Sequence, residues 1–264
     1  MSERMHWYTT EGEPRHDATL REAKKEGLLP SVTKITGVLH NQSLIEYAKD
    51  QVLQAALMIP PGGKDYDDWK KEVYAAANEH RDSAAAIGTL LHGWTELYLS
   101  GKNPPKDEYE SNKDAKRIWN YFLPWLSSNL DIGGRKEITL VSKKHSFAGR
   151  TDYIGPMVED TREFIIDWKF RNLKHPGFKK DGDLKAVRKP VYDTDGMQLA
   201  AYTGADAEMQ GKEIDGSIQP LSVVVSTNPK FPYVYVHEWP LEDVEKWYEA
   251  FLAARTLTRI MWNL

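Results

Sequence analysis

Cysteine is absent from this sequence of 264 residues. Disulfides are therefore impossible, and a cysteine-ligated iron–sulfur cluster is excluded as a cofactor. A surplus of positive charge is also missing: 35 Lys and Arg stand against 39 Asp and Glu, a formal net charge of −4. No global basic field gathers nucleic acid, so such a partner needs a local patch, helped by bound metal. No window approaches the roughly 18 apolar residues of a membrane span. The opening MSERMHWYTTEGEPRHD has no apolar signal-peptide core, so the expectation is a cytoplasmic protein with no membrane partner. There is no internal repeat with a period of about 20–50 residues. No Gly-x-x-x-x-Gly-Lys-Ser/Thr stretch is present, which argues against ATP-driven translocation by the chain itself. His-Glu-x-x-His is missing too, which disfavours a zinc peptidase.

What is present supports a packed domain. Hydrophobic residues make up 41% of the chain, enough for a buried core. One domain over 1–264 is expected, with a helical extension over 1–80 and a core plus C-terminal helix over 81–264. Residues 1–30 read as poorly structured. Pro30 and Ser31 then start a short helix carrying Ile35, Val38 and Leu39 on one face. Helices follow over 43–58, about 65–79 and about 81–100, broken by Pro60-Pro61-Gly62-Gly63 and ended by Gly101, Pro104 and Pro105. In the last of these, Gly88 would permit a close backbone approach. His92 and Glu96 are four apart and share a face, which is the spacing of an ordinary ion pair as well as of two ligands. Another helix covers 107–128, with Pro124 a predicted kink and Trp119, Phe122 and Trp125 as core contacts.

The centre of the chain is Phe147 to Arg171, FAGRTDYIGPMVEDTREFIIDWKFR. Two runs rich in β-branched and aromatic residues flank a polar break, the pattern of two strands and a hairpin. KEITLVSK over 136–143 precedes them as a third strand. Alternation puts Asp167 and Lys169 on one face and Trp168 on the other. Antiparallel pairing brings Asp152 beside Asp167. Two carboxylates so placed are costly unless something positive lies between them, and a divalent metal is the usual answer.

Gly149-x-x-Asp152 followed by Asp167-x-Lys169 resembles the PD-(D/E)XK nucleases. Gly88-x-x-x-His92-x-x-x-Glu96 is similar to the first motif of their RecB-like group, and Gln198-x-x-x-Tyr202 to the last. Pro30-Ser31-Val32-Thr33 is similar to a segment of small phage and mitochondrial exonucleases of that group. The motifs occur in the family's order. The resemblance implies an α/β fold: an αβββαβ core with a central mixed sheet flanked by helices, plus added N-terminal helices and a C-terminal helix. It implies Mg²⁺ or Mn²⁺, one or two ions, held by His92, Asp152, Asp167 and the Trp168 carbonyl. By the same resemblance Lys169 would orient water and stabilise charge, Gln198 would position the lysine or water, and Tyr202 would contact phosphate. Ser31 and Thr33 would meet the bound strand. Glu96 and Glu137 are weaker candidates for the site.

The long connection over 170–193 exceeds the usual few residues. Between Lys174 and Lys189 it carries six basic residues against Asp181 and Asp183. Lys179, Lys180, Lys185, Arg188 and Lys189 are the candidate DNA contacts, a solvated loop being the plainer reading. A helix over about 195–208, two strands meeting at Asn228-Pro229-Lys230, and a helix over 241–262 complete the chain. The expected function is a metal-dependent DNA exonuclease of phage or of recombination, repair or replication. Its substrate would be single-stranded DNA or a duplex end, and an annealing or replication protein would be a further partner. A structure-specific endonuclease, a non-catalytic DNA-binding module and a different metal hydrolase using His92 and Glu96 are the alternatives. Oligomeric state is left open.

Overall fold

The computed structural model describes residues 6–39, 42–180, 185–187 and 189–264. Two compact units emerge, Met1–Leu39 with Trp94–Leu264, and His40–Gly93. Among the described residues no helix is long and apolar enough to cross a membrane.

The N-terminal stretch is ordered from Trp7 onward, against the expectation for residues 1–30. Strand β1 (Trp7–Tyr8) pairs antiparallel with β2 (Leu29–Pro30), and helix α1 (Leu20–Glu26) lies between them. A capping box of Thr19 and Glu22 starts α1, and Gly27 in the left-handed region ends it. A few large groups hold this segment rather than a long periodic face. Trp7 is fully buried with Ala18, Ala23 and Leu28, and Trp262 packs on them from the other end of the chain. Helix α2 (Val32–Thr36) follows, with Ser31 as its N-cap.

The smaller unit contains α3 (Gln42–Met58) and most of α4 (Tyr66–Leu99). Ala55, Val73 and Ala77 make its core with Val52 and Trp69, and the Trp69 indole donates to the Ile59 carbonyl at 2.6 Å. The two helices expected over 65–79 and 81–100 are one, α4, because neither Gly nor Pro interrupts the run at 79–81. Gly88 makes no close approach: a Cβ there would meet nothing within 4 Å. The single helix expected over 107–128 is two, α5 (Lys106–Ser111) and α6 (Lys113–Asn129), separated at Asn112, and Pro124 lies within α6.

The larger unit is a mixed α/β fold around a five-stranded sheet, as the resemblance implied. Its strands are β3 (Arg135–Ser142), β4 (Phe147–Met157), β5 (Asp160–Arg171), β6 (Ile218–Ser226) and β7 (Val234–Glu238), in that order across the sheet. All neighbours are antiparallel except β5 and β6, which are parallel and joined through α7 (Asp193–Met209). A parallel pair needs such a crossover. It also buries both faces of β6, whose LSVVV run carries no polar alternation beyond Ser222.

Helix α7 is buried on nearly every side, from Asp195 to Asp206, between the sheet and α8 (Leu241–Trp262). Its first turn is tied to the end of β5. The Arg171 guanidinium makes two 2.8 Å bonds to the Asp195 carboxylate, and Asp195 also accepts from the Tyr192 amide at 2.8 Å. The other sheet face carries an aromatic cluster in which Trp168 packs edge-on to Phe122 and Trp125.

Gly149 shows why that motif position has no side chain. A Cβ there would lie 2.6 Å from the Tyr202 ring and 2.9 Å from Val32. Gly149→Ala is expected to destabilise the protein by about 1–3 kcal/mol through overpacking. Urea unfolding would measure this, and an unchanged midpoint would mean that α2 and α7 can move apart freely.

Candidate functional site

The sheet register lines up three carboxylates on adjacent strands. Glu137 falls opposite Asp152, between the pairs Lys136–Tyr153 and Ile138–Thr151. The pairing of β4 with β5 reaches Tyr153–Ile166, so Asp152 and Asp167 come next. There the strands part, and side chains take over the ladder. Thr151 Oγ1 donates to the Ile166 carbonyl at 3.1 Å, and the Trp168 amide donates to Asp152 Oδ2 at 2.7 Å. Buried backbone groups must be paired, and here the candidate site residues do the pairing.

Glu137 and Asp152, both half-buried, have carboxylate oxygens within 4.8 Å of each other. Like charges directly opposite on a sheet repel. The Arg150 guanidinium relieves part of this, 2.7 Å from Glu137 Oε2. Glu137 also has φ of 48°, the left-handed region. That conformation costs on the order of 1–2 kcal/mol for a residue with a Cβ, and such outliers gather at functional positions.

Asp167 is held differently. It is 4% exposed, and its Oδ1 accepts from Gln198 Nε2 at 2.9 Å. Its Oδ2 is buried without a hydrogen bond of good geometry, its contact being the ion pair to Lys169 Nζ at 2.6 Å. Lys169 in turn donates to Gln198 Oε1 at 2.9 Å. Gln198 thus bridges acid and lysine, and its Nε2 also donates to the Tyr202 hydroxyl at 3.0 Å. Tyr202 is 3% exposed and lies beneath the site, not at a surface where a phosphate could meet it. The helical spacing of Gln198 and Tyr202 places both on the α7 face that packs against the sheet.

Burial pushes the Asp167 carboxyl up to about 6, with Lys169 opposing and Asp152 adding to the rise. Burial pulls the Lys169 ammonium down, but Asp167 and then Asp195 outweigh it, and the net shift is upward. Burial, then Asp167, raises the Tyr202 hydroxyl well above its ordinary value. Between about pH 4 and pH 6 the folded protein therefore keeps a proton on Asp167 that an unfolded aspartate has released. The unfolded state binds fewer protons there, so stability falls as pH rises through this window. In chelator, Asp167→Asn should remove that part of the fall. Parallel urea titrations of both proteins check it, and identical pH slopes would contradict it.

The remaining predicted residues fall as follows. His92 is half-buried on α4, at the end of the His40–Gly93 unit, two residues before Trp94. Glu96 is exposed one turn further on. Ser31 is 3% exposed, and its Oγ accepts from the Lys34 amide at 3.2 Å, which is the capping role; Thr33 is exposed. Lys179, Lys180 and Lys185 are exposed, and Lys189 sits 4.9 Å over the Trp239 ring. Arg188, Asp181 and Asp183 lie outside the described residues. Glu137, the weaker candidate of the sequence, stands beside Asp152, and neither Arg150 nor the Arg171–Asp195 pair carries a signal in the sequence alone. Counting back along tight hairpins from Asp167 would have put Glu137 in the row.

No family model and no curated protein matches the chain. Among solved structures it is similar to a candidate exonuclease from Eubacterium rectale, at 15% identity and a TM-score of 0.39. That alignment spans 66% of this chain and 66% of the other.

Proposed function

We propose that the chain is a metal-dependent deoxyribonuclease of the RecB-like PD-(D/E)XK type, acting as an exonuclease. The observation that carries this reading is the row Glu137, Asp152 and Asp167 on three adjacent strands, with Lys169 and Gln198 beside it. Glu137 and Asp152, with carboxylate oxygens within 4.8 Å of each other and Glu137 on a strained backbone, suit a cation better than water.

In this reading Glu137 and Asp152 hold a divalent cation, with His92 as a third ligand. His92 lies on the same helix as the buried Trp94. By the resemblance Asp167 and the Trp168 carbonyl would be further ligands; Asp167 Oδ2 now faces the Lys169 ammonium at 2.6 Å, which would have to share it with the ion. An oxygen-rich set with one imidazole suits Mg²⁺ or Mn²⁺. When bound, such an ion lowers the pKa of water and stabilises charge on the phosphate. Lys169 keeps its proton, so it acts as a charge and donor toward water or phosphate and not as a general base. Gln198 holds its ammonium in place, and Arg171–Asp195 fixes the start of α7 from which Gln198 projects. The exposed Lys179, Lys180 and Lys185 would grip the substrate strand.

The test is digestion of end-labelled linear, circular and end-blocked DNA with Mg²⁺ or Mn²⁺. Loss of linear DNA with circles and blocked ends spared is the expected result. Cutting of circles would make the enzyme an endonuclease on the same site. No cutting of any substrate would overturn the reading.

A further inference from the structure

A second site lies away from the acids. A cavity of about 480 Å³ opens between the end of α1, the turn joining β3 to β4, and the last turns of α8. Its volume falls in the range of small-molecule pockets, roughly 300–1,000 Å³. Four lining side chains are cations, Lys24, Lys144, Arg255 and Arg259, and among the described lining residues none is Asp or Glu. Ser146 and Asn263 add hydrogen-bonding groups, and Leu28 and Leu29 an apolar wall.

Helix ends explain part of this charge. The C-caps of α1 and α8, Gly27 and Asn263, both line the cavity. A helix C-terminus carries about half a negative charge and favours a cation in its last turn. Lys24 and Arg259 fill those positions. Arg259 Nε also donates to the Leu264 main-chain oxygen at 3.3 Å, and Lys144 also borders a neighbouring pocket lined by Glu208, Glu245 and Glu249. Arg255, one turn before Arg259, adds a cation that the two half-charges do not balance. Burial, and then the charge of Arg259, pull the Arg255 guanidinium below its ordinary value, as expected where like charges are held together. Holding such a group is unfavourable unless an anion joins it. Guanidinium pairs match phosphate oxygens in two-point bonds.

We propose that this cavity binds a phosphate-bearing ligand of nucleotide size. The phosphate would lie on Arg255, Arg259 and Lys144, and the rest of the ligand against Leu28 and Leu29. Ser146 precedes Asp152 by six residues along the chain, roughly 20 Å for extended backbone. The site is therefore separate from the acidic row, and the inference stands without the nuclease reading.

Calorimetric titration of the full chain in chelator tests it, because the acidic row then plays no part. The probes are pyrophosphate, thymidine diphosphate, thymidine, and a short single strand with and without a terminal phosphate. Thymidine diphosphate should bind and thymidine should not. Arg255→Gln with Arg259→Gln should weaken binding by about tenfold or more, with an unchanged melting temperature. Lys144→Gln, on the exposed turn, should weaken it as well if the double variant fails to fold. Tighter binding of the mononucleotide points to a free nucleotide as the ligand, and tighter binding of the phosphorylated strand to a strand end. The inference fails if no phosphate-bearing probe binds at millimolar concentration, or if the variants bind as well as the natural chain.

Discussion

Asp152→Asn is expected to lower metal-dependent DNA hydrolysis by at least about 10²-fold while leaving the protein folded. Even residues that only orient metal ligands cost about 10–100-fold when changed, so a ligand itself sets a larger loss. The substitution keeps the volume of the side chain. The asparagine oxygen can still accept from the Trp168 amide, so the junction where β4 and β5 part is preserved. Removing the charge also relieves the repulsion with Glu137 across the strands. In chelator the variant should therefore melt at the same temperature as the natural chain or slightly above it. Added Mn²⁺ should raise the melting temperature of the natural chain, because a ligand of the folded state stabilises it. That rise should be lost in Asp152→Asn. A variant that kept both the metal-induced rise and normal hydrolysis would remove Asp152 from the site.

Much of this site is legible in the sequence because strands have simple arithmetic. Alternation placed Asp167 and Lys169 on one face and Trp168 on the other, and the structure has the two in an ion pair with Trp168 among aromatics. The Gln198 and Tyr202 spacing likewise put both on one helix face, where they bond each other. What was not legible depends on contacts distant in sequence. Trp7 to Glu26 carries few apolar residues, and its order comes from Trp262 and from a capping box that is easily passed over in a polar stretch. That Gln198 bridges Asp167 and Lys169 depends on where α7 packs on the sheet, and no local pattern contains that distance. The left-handed backbone of Glu137 is likewise invisible in the sequence, which reads as regular strand there.

Lys169→Met should produce the largest combined effect, on turnover and on stability. Turnover should fall by on the order of 10²-fold, as when one preorganised charge-stabilising donor is removed. Stability should fall because Asp167 is 4% exposed and would lose the ammonium that pairs with it. Removing one partner of a buried pair leaves an uncompensated charge, at about 3–5 kcal/mol. The Asp167 carboxyl can escape that penalty by keeping its proton. Its titration, already raised to about 6, should move higher still in the variant. The destabilisation should therefore be small near pH 5 and large near pH 8, read by urea unfolding in chelator. Adding Asp167→Asn to Lys169→Met should restore most of the stability near pH 8, since the neutral amide needs no cation, yet restore no turnover. DNA affinity measured in Ca²⁺ should change little in the single variant. Equal destabilisation at both pH values would show that Lys169 supports the fold by packing alone. Normal turnover with weakened DNA affinity would make it a substrate contact and leave charge stabilisation to other residues.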